Sequence, residues 1–140
     1  MQGKHELKKV AIRLVPESPL YSDQPVRSPE DVVRVLGKEL EGYDREVACV
    51  VNLQSDSTPI NMNFISMGTL NMAPVSAREV FKSAILSNAA GILLLHNHPS
   101  GNPTPSRMDI ELTENLCRAA QIMDIPLLDH IILGRDGVYC

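Results

Sequence analysis

Gly91-Ile92-Leu93-Leu94-Leu95-His96-Asn97-His98-Pro99 runs through Ser100-Gly101-Asn102-Pro103-Thr104-Pro105 into Ser106-Arg107-Met108-Asp109. The apolar run 91–95 reads as a short buried strand. In extended chain, residues i and i+2 point to the same side. His96 and His98 therefore present two imidazoles side by side at the end of that strand, and Asn97 faces the other way. The following stretch of prolines and a glycine is neither helix nor central strand. At Ser106 a helical apolar pattern begins. Asp109 falls in its first turn, on the side of Leu112 and Leu116, so its carboxylate is expected to point inward.

Two imidazoles and one inward carboxylate make a metal-ligand set. Nitrogen and oxygen donors favour Zn2+ among the common divalent ions, and three protein ligands leave a fourth tetrahedral position for water, the catalytic pattern. Zinc lowers the pKa of such a water from about 15.7 to roughly 7, which is hydrolytic chemistry. A reading without metal stands beside this one. Ser106-x-x-Asp109 is also a capping box, and the same grammar recurs at Ser28-x-x-Asp31 and Ser76-x-x-Glu79. The conjunction of same-face histidines, a returning loop and a buried-side carboxylate favours the metal.

His96-x-His98, seven residues, then Ser106-x-x-Asp109 resembles the JAMM (MPN-plus, JAB-type) metalloprotease signature. The fuller wording His96 to Ser106 resembles the bacterial RadC branch of that superfamily. The similarity runs from about Ser28 to the last residue and takes in Asp44-Arg45-Glu46, Gly68-Thr69-Leu70-Asn71 and Asp129-His130-Ile131-Ile132. The resemblance implies a JAB/MPN fold, an α/β architecture related to cytidine deaminases, with a mixed curved sheet flanked by helices. It also implies a zinc site of His96, His98 and Asp109, with Glu46 as general base and Ser106 assisting the oxyanion. Residue spacing alone does not single out Glu46, which without the resemblance is a strand-edge charge. The chain departs from many relatives at Ser76, where they carry a histidine that is either a site-edge imidazole or a cap.

Composition fits one soluble domain. The chain has 140 residues, 44% hydrophobic and 21% charged, with no apolar run near the about 20 residues of a membrane span. Nothing at the start reads as a signal segment, so a cytoplasmic location is expected. Net charge is −4, which argues against a domain built to grip phosphates, and two Phe and three Tyr offer little for base stacking. Cys49, Cys117 and Cys140 show no C-x-x-C spacing; Cys49 and Cys117 read as buried small apolar residues.

Along the chain, Val10 to Val15 reads as a first strand and Pro16 to Pro29 as a linker. The expected boundaries are 1–27 for this strand and linker and 28–140 for the RadC-type domain, with no helix-hairpin-helix module of the kind longer members carry. Ser28 caps a first helix with Val32, Val33, Leu36 and Leu40 on one face and Gly42 as its stop. Val47 to Leu53 and Ile60 to Met67 read as a hairpin, with Glu46 sharing a face with Ala48, Val50 and Asn52. A second helix carries Val80, Phe81, Ala84 and Ile85, and a third, about Arg107 to Met123, carries Leu112, Leu116, Ala119, Ala120 and Met123. Pro126 to Leu133 and Gly137 to Cys140 are the last strands. His130, beside Asp129, reads as a hydrogen-bonded core group or as one that supports a ligand, and not as a ligand.

The reading therefore expects a zinc metalloprotease or metallo-isopeptidase acting on a protein or peptide, without strong DNA contact or membrane association, and allows a homodimer. Two alternatives come from other classes. One is a RadC-type accessory of DNA repair or mobile-element DNA processing. The other is a non-catalytic zinc-binding module.

Overall fold

The computed structural model describes residues 3–22, 25–67, 75–134 and 137–139. Its elements run α1 (Pro29–Glu41), β1 (Val47–Leu53), β2 (Pro59–Met67), α2 (Ala77–Leu86), β3 (Gly91–Asn97), α3 (Arg107–Met123), β4 (Leu127–Gly134) and β5 (Gly137–Tyr139). The strands form one mixed sheet in the order β2-β1-β3-β4-β5. β1 pairs antiparallel with both β2 and β3, while β3 and β4 are parallel and joined through α3. This is the expected α/β class, a mixed sheet with helices on its faces.

Each face of the sheet has its own core, and strand alternation explains the division. Val47, Cys49, Val51 and Leu53 of β1 and Leu93 and Leu95 of β3 pack with Val32, Leu36 and Leu40 of α1. Val50, Ile92 and Leu94 turn to the opposite face and meet Val80, Phe81 and Ala84 of α2 and Leu116 and Ala120 of α3. All seven residues of β1 and of β3 are buried, because both strands are covered on both sides. Such strands read as continuous apolar runs.

Local chemistry sets the helix boundaries. Ser28 Oγ accepts the Asp31 N–H at 3.2 Å, with proline in the first turn of α1. α3 opens with a complete capping box between Ser106 and Asp109. Ser76 occupies the N-cap of α2, yet its side chain makes no capping bond, and Glu79 pairs with Lys82 instead. The third expected box is therefore a cap in position only.

Other expectations need correcting. Val10 to Val15 forms no strand: the stretch is exposed and unpaired, with Val10 81% and Ile12 73% accessible. Strand propensity has effect only against a partner edge, and the segment pairs with no strand among the described residues. Ile85 and Met123 are exposed, not core: Ile85 lies at the edge of the apolar stripe of α2, and Met123 is the last residue of α3. Cys117 is exposed on α3, whereas Cys49 is buried in β1, where desolvation pushes its thiol up to about 12. The last two predicted strands begin and end within a residue or so of β4 and β5. The Gly68-Thr69-Leu70-Asn71 motif and Cys140 lie outside the described residues. Among the described residues, no helix is long and apolar enough to cross a membrane.

Candidate metal centre

The β1/β3 register places Ala48 opposite His96. Glu46 lies just before β1, two residues from Ala48 and on the same face, so it reaches the end of the sheet where the histidines emerge. His96 is the penultimate residue of β3 and His98 the first beyond it. α3 approaches the same face and delivers Asp109 from its first turn.

These groups converge. His96 Nε2 lies 3.0 Å from His98 Nε2. The Asp109 carboxylate spans both, with Oδ1 at 3.2 Å from His96 Nε2 and Oδ2 at 3.1 Å from His98 Nε2. Four ligand atoms held tetrahedrally at bonds of about 2.0 Å would be about 3.3 Å apart. The imidazole pair lies close to one such edge, and each imidazole has a different oxygen of the Asp109 carboxylate at a similar distance. All three side chains are mostly shielded from solvent. Glu46 stands further off: its Oε1 is 4.0 Å from His98 Nε2. Glu46, His96 and His98 also form a group whose ligand atoms lie within 4.8 Å of one another and could hold a metal ion.

Surrounding bonds orient each donor. His98 Nδ1 lies 2.9 Å from the Asn102 carbonyl oxygen. That oxygen can only accept, so the ring proton sits on Nδ1 and Nε2 keeps its lone pair for a cation. Asp109 Oδ2 also accepts the Ser106 N–H at 2.8 Å, and Ser106 Oγ accepts the Asp109 N–H at 3.1 Å. The capping box and the metal reading are thus one arrangement, because the cap aims the carboxylate. Burial opposes ionisation of Asp109, but hydrogen bonds from His96 and the Ser106 N–H outweigh it and hold the carboxyl well below the usual range.

His130 is buried, and its Nε2 lies 2.8 Å from His96 Nδ1, on the side of that ring away from His98. It is a buried, hydrogen-bonded group against the back edge of the His96 ring. Desolvation, and then the neighbouring His96, push His130 down to about 4. Three contributors escaped the sequence reading. Asn97 accepts the Val47 N–H at 2.6 Å through Oδ1 and donates to the Arg45 carbonyl at 3.0 Å through Nδ2, gripping the backbone on both sides of Glu46. Thr113 Oγ1 lies 2.6 Å from His130 Nδ1. The Asn102 contact is through backbone. Of these only Thr113 left a signal, as a polar residue one helical turn after Asp109.

A mixed sheet with an imidazole pair at one strand end, faced by a capped carboxylate, is the JAB class of α/β domain. The family described as the RadC-like JAB domain matches residues 26–140, and the chain belongs to that family. A UPF0758 protein of Caldanaerobacter subterraneus is 48% identical over 112 residues, which is 80% of this chain and 48% of that protein. One from Syntrophomonas wolfei is 48% identical over 119 residues, 82% of this chain and 50% of the relative. One from Chloroflexus aggregans is 40% identical over 123 residues, 88% of this chain and 54% of the relative. The chain thus spans about half the length of the curated relatives it matches.

Proposed function

We propose that this domain is a zinc-dependent hydrolase of amide or isopeptide bonds, with His96, His98 and Asp109 holding the ion. The observation that carries the reading is the convergence of two imidazole nitrogens 3.0 Å apart with the two oxygens of the Asp109 carboxylate, one 3.2 Å from His96 Nε2 and the other 3.1 Å from His98 Nε2. Two imidazole nitrogens favour zinc over magnesium or calcium. When bound, zinc would supply an acidified water and a Lewis acid for a carbonyl oxygen.

The chain's own residues divide the remaining work. Glu46, with its Oε1 4.0 Å from His98 Nε2, acts as general base, taking a proton from the attacking water and returning it to the leaving amine. Ser106 uses a lone pair in capping α3, so its hydroxyl proton remains to donate to the developing oxyanion. Ser106 is exposed, as a group that meets substrate must be. The net charge of −4 supports a protein or peptide substrate over a nucleic acid, whose phosphates call for a basic face.

The test is turnover of a library of fluorogenic peptides and lysine isopeptides by zinc-loaded protein, beside Glu46→Gln. Cleavage that a chelator stops, that zinc restores and that the variant lacks is the expected result. Full zinc occupancy with no cleavage across both halves of the library sinks the hydrolase reading.

A further inference from the structure

The described residues contain a closed circuit of polar contacts behind the candidate centre, and its direction can be worked out from one end. Thr113 Oγ1 lies 2.9 Å from the Asp109 carbonyl oxygen. A carbonyl has no proton to give, so this bond is donated by the threonine. A threonine hydroxyl carries a single proton, and with that proton on the carbonyl its oxygen must accept at its second contact. That contact is His130 Nδ1 at 2.6 Å, so the His130 ring proton sits on Nδ1. His130 Nε2 then has only a lone pair, and the group facing it, His96 Nδ1 at 2.8 Å, must be the donor. His96 therefore carries a proton on Nδ1, and its Nε2 is the nitrogen that faces His98 and Asp109.

We propose that His130 and Thr113 are positioning residues that set the tautomer and ring angle of His96 and lock that ring to the first turn of α3. The circuit closes because Asp109 takes part twice: its backbone carbonyl ends the relay, and its carboxylate meets His96 Nε2 at 3.2 Å. One pair of side chains thus couples a donor on β3 to a donor on α3, through β4. The neighbouring donor, His98, has its tautomer set independently by the Asn102 carbonyl, so the relay serves His96 alone. This inference rests on the metal reading above. It adds two residues whose removal should weaken the ion's hold without removing a ligand.

The measurement is zinc affinity by competition with a chromophoric chelator, on the full chain and on three variants, and it needs no substrate. His130→Ala is expected to bind zinc about 10- to 100-fold more weakly, the usual cost of losing a group that supports a ligand. Thr113→Val, close in shape and without the hydroxyl, should shift in the same direction, and Thr113→Ser should restore affinity to within about threefold of wild type. Because Thr113→Val keeps the side-chain shape, it reads the relay even if His130→Ala fails to fold. Nitrogen-15 spectra of the wild-type His96 ring provide a second readout, with the Nδ1–H tautomer expected. Zinc-binding wild type whose Thr113→Val variant keeps its affinity, or a His96 ring with no proton on Nδ1, overturns the relay alone. Wild type that takes up no zinc overturns the metal centre and the relay together.

Discussion

Asn97 holds Glu46 in place without touching its carboxylate: its side-chain amide bonds Val47 N–H at 2.6 Å and the Arg45 carbonyl at 3.0 Å. The tripeptide His96-Asn97-His98 therefore does two things through alternation. Its outer members offer imidazoles on one face, while the middle one clamps the neighbouring chain that carries the base. Asn97→Ala leaves a buried N–H and a carbonyl without their partner, a cost of about 1–3 kcal/mol. Denaturant unfolding should show that loss. Zinc affinity, which depends on β3 and α3, should stay within a few-fold of wild type, while turnover falls toward that of Glu46→Gln. A variant as stable as wild type would mean that the clamp is not formed.

Ser106→Ala separates two roles on one oxygen. Loss of the cap alone costs about 1 kcal/mol of stability, whereas loss of an oxyanion donor costs about 100-fold or more in turnover. Both effects are expected together. A stability loss with unchanged kcat in zinc-loaded protein would reduce Ser106 to a cap that aims Asp109.

His98→Ala should abolish stoichiometric zinc, since two remaining protein donors are fewer than zinc sites ordinarily use. Glu46→Gln should retain zinc and lose turnover, because the amide cannot accept the water's proton. Metal analysis of the purified variants checks both, and a Glu46→Gln protein that arrives without zinc would make Glu46 a ligand.

Stability of the metal-free protein should fall with pH in two stages. His130 is held neutral by burial at about 4, below the 6.5 of an unperturbed imidazole. The unfolded chain therefore binds a proton that the folded one refuses, and stability is lost as pH drops from 6.5 toward 4. Asp109 is shifted downward from 3.8, so its contribution is present above that value and disappears as pH falls further. Denaturant midpoints measured against pH should decline across the upper window, and His130→Gln should flatten that decline. An unchanged slope in this variant would show that His130 does not titrate there.

Gly134, the last residue of β4, lies against the loop that follows the histidines. A Cβ there would collide with the Gly101 carbonyl and come within 2.9 Å of Pro103 N, both of them backbone. The same end of β4 receives His98, whose N–H donates to the Leu133 carbonyl at 2.8 Å. Gly134→Ala should displace that loop, lowering stability by about 1–3 kcal/mol and weakening zinc affinity. Calorimetry and chelator competition read the two effects, and wild-type values in both would show that the loop yields freely.

Much of this arrangement was legible in the chain itself. The apolar run before His96, the same-side spacing of His96 and His98, and the Ser106-x-x-Asp109 box all rest on local periods and caps, which few neighbouring residues decide. The sheet with its helices, the inward Asp109 and the buried, hydrogen-bonded His130 followed from such patterns or from the family resemblance. Readings that depended on finding a partner fared worse: Val10 to Val15 has strand composition but pairs with no strand among the described residues, Cys117 and Ile85 sit beside their helices' buried stripes, and Met123 ends its helix.

What local pattern determined, then, was which residues share a face and where helices start. Only the tertiary structure decided the separations between groups on different elements. Asn97 and Val47 stand 50 residues apart and His96 and His130 stand 34 apart, and both contacts depend on strand register. A slip of one residue would turn each side chain to the opposite face. That register is set by the two cores packing on either side of the sheet, a property of the whole assembled chain and of no single segment.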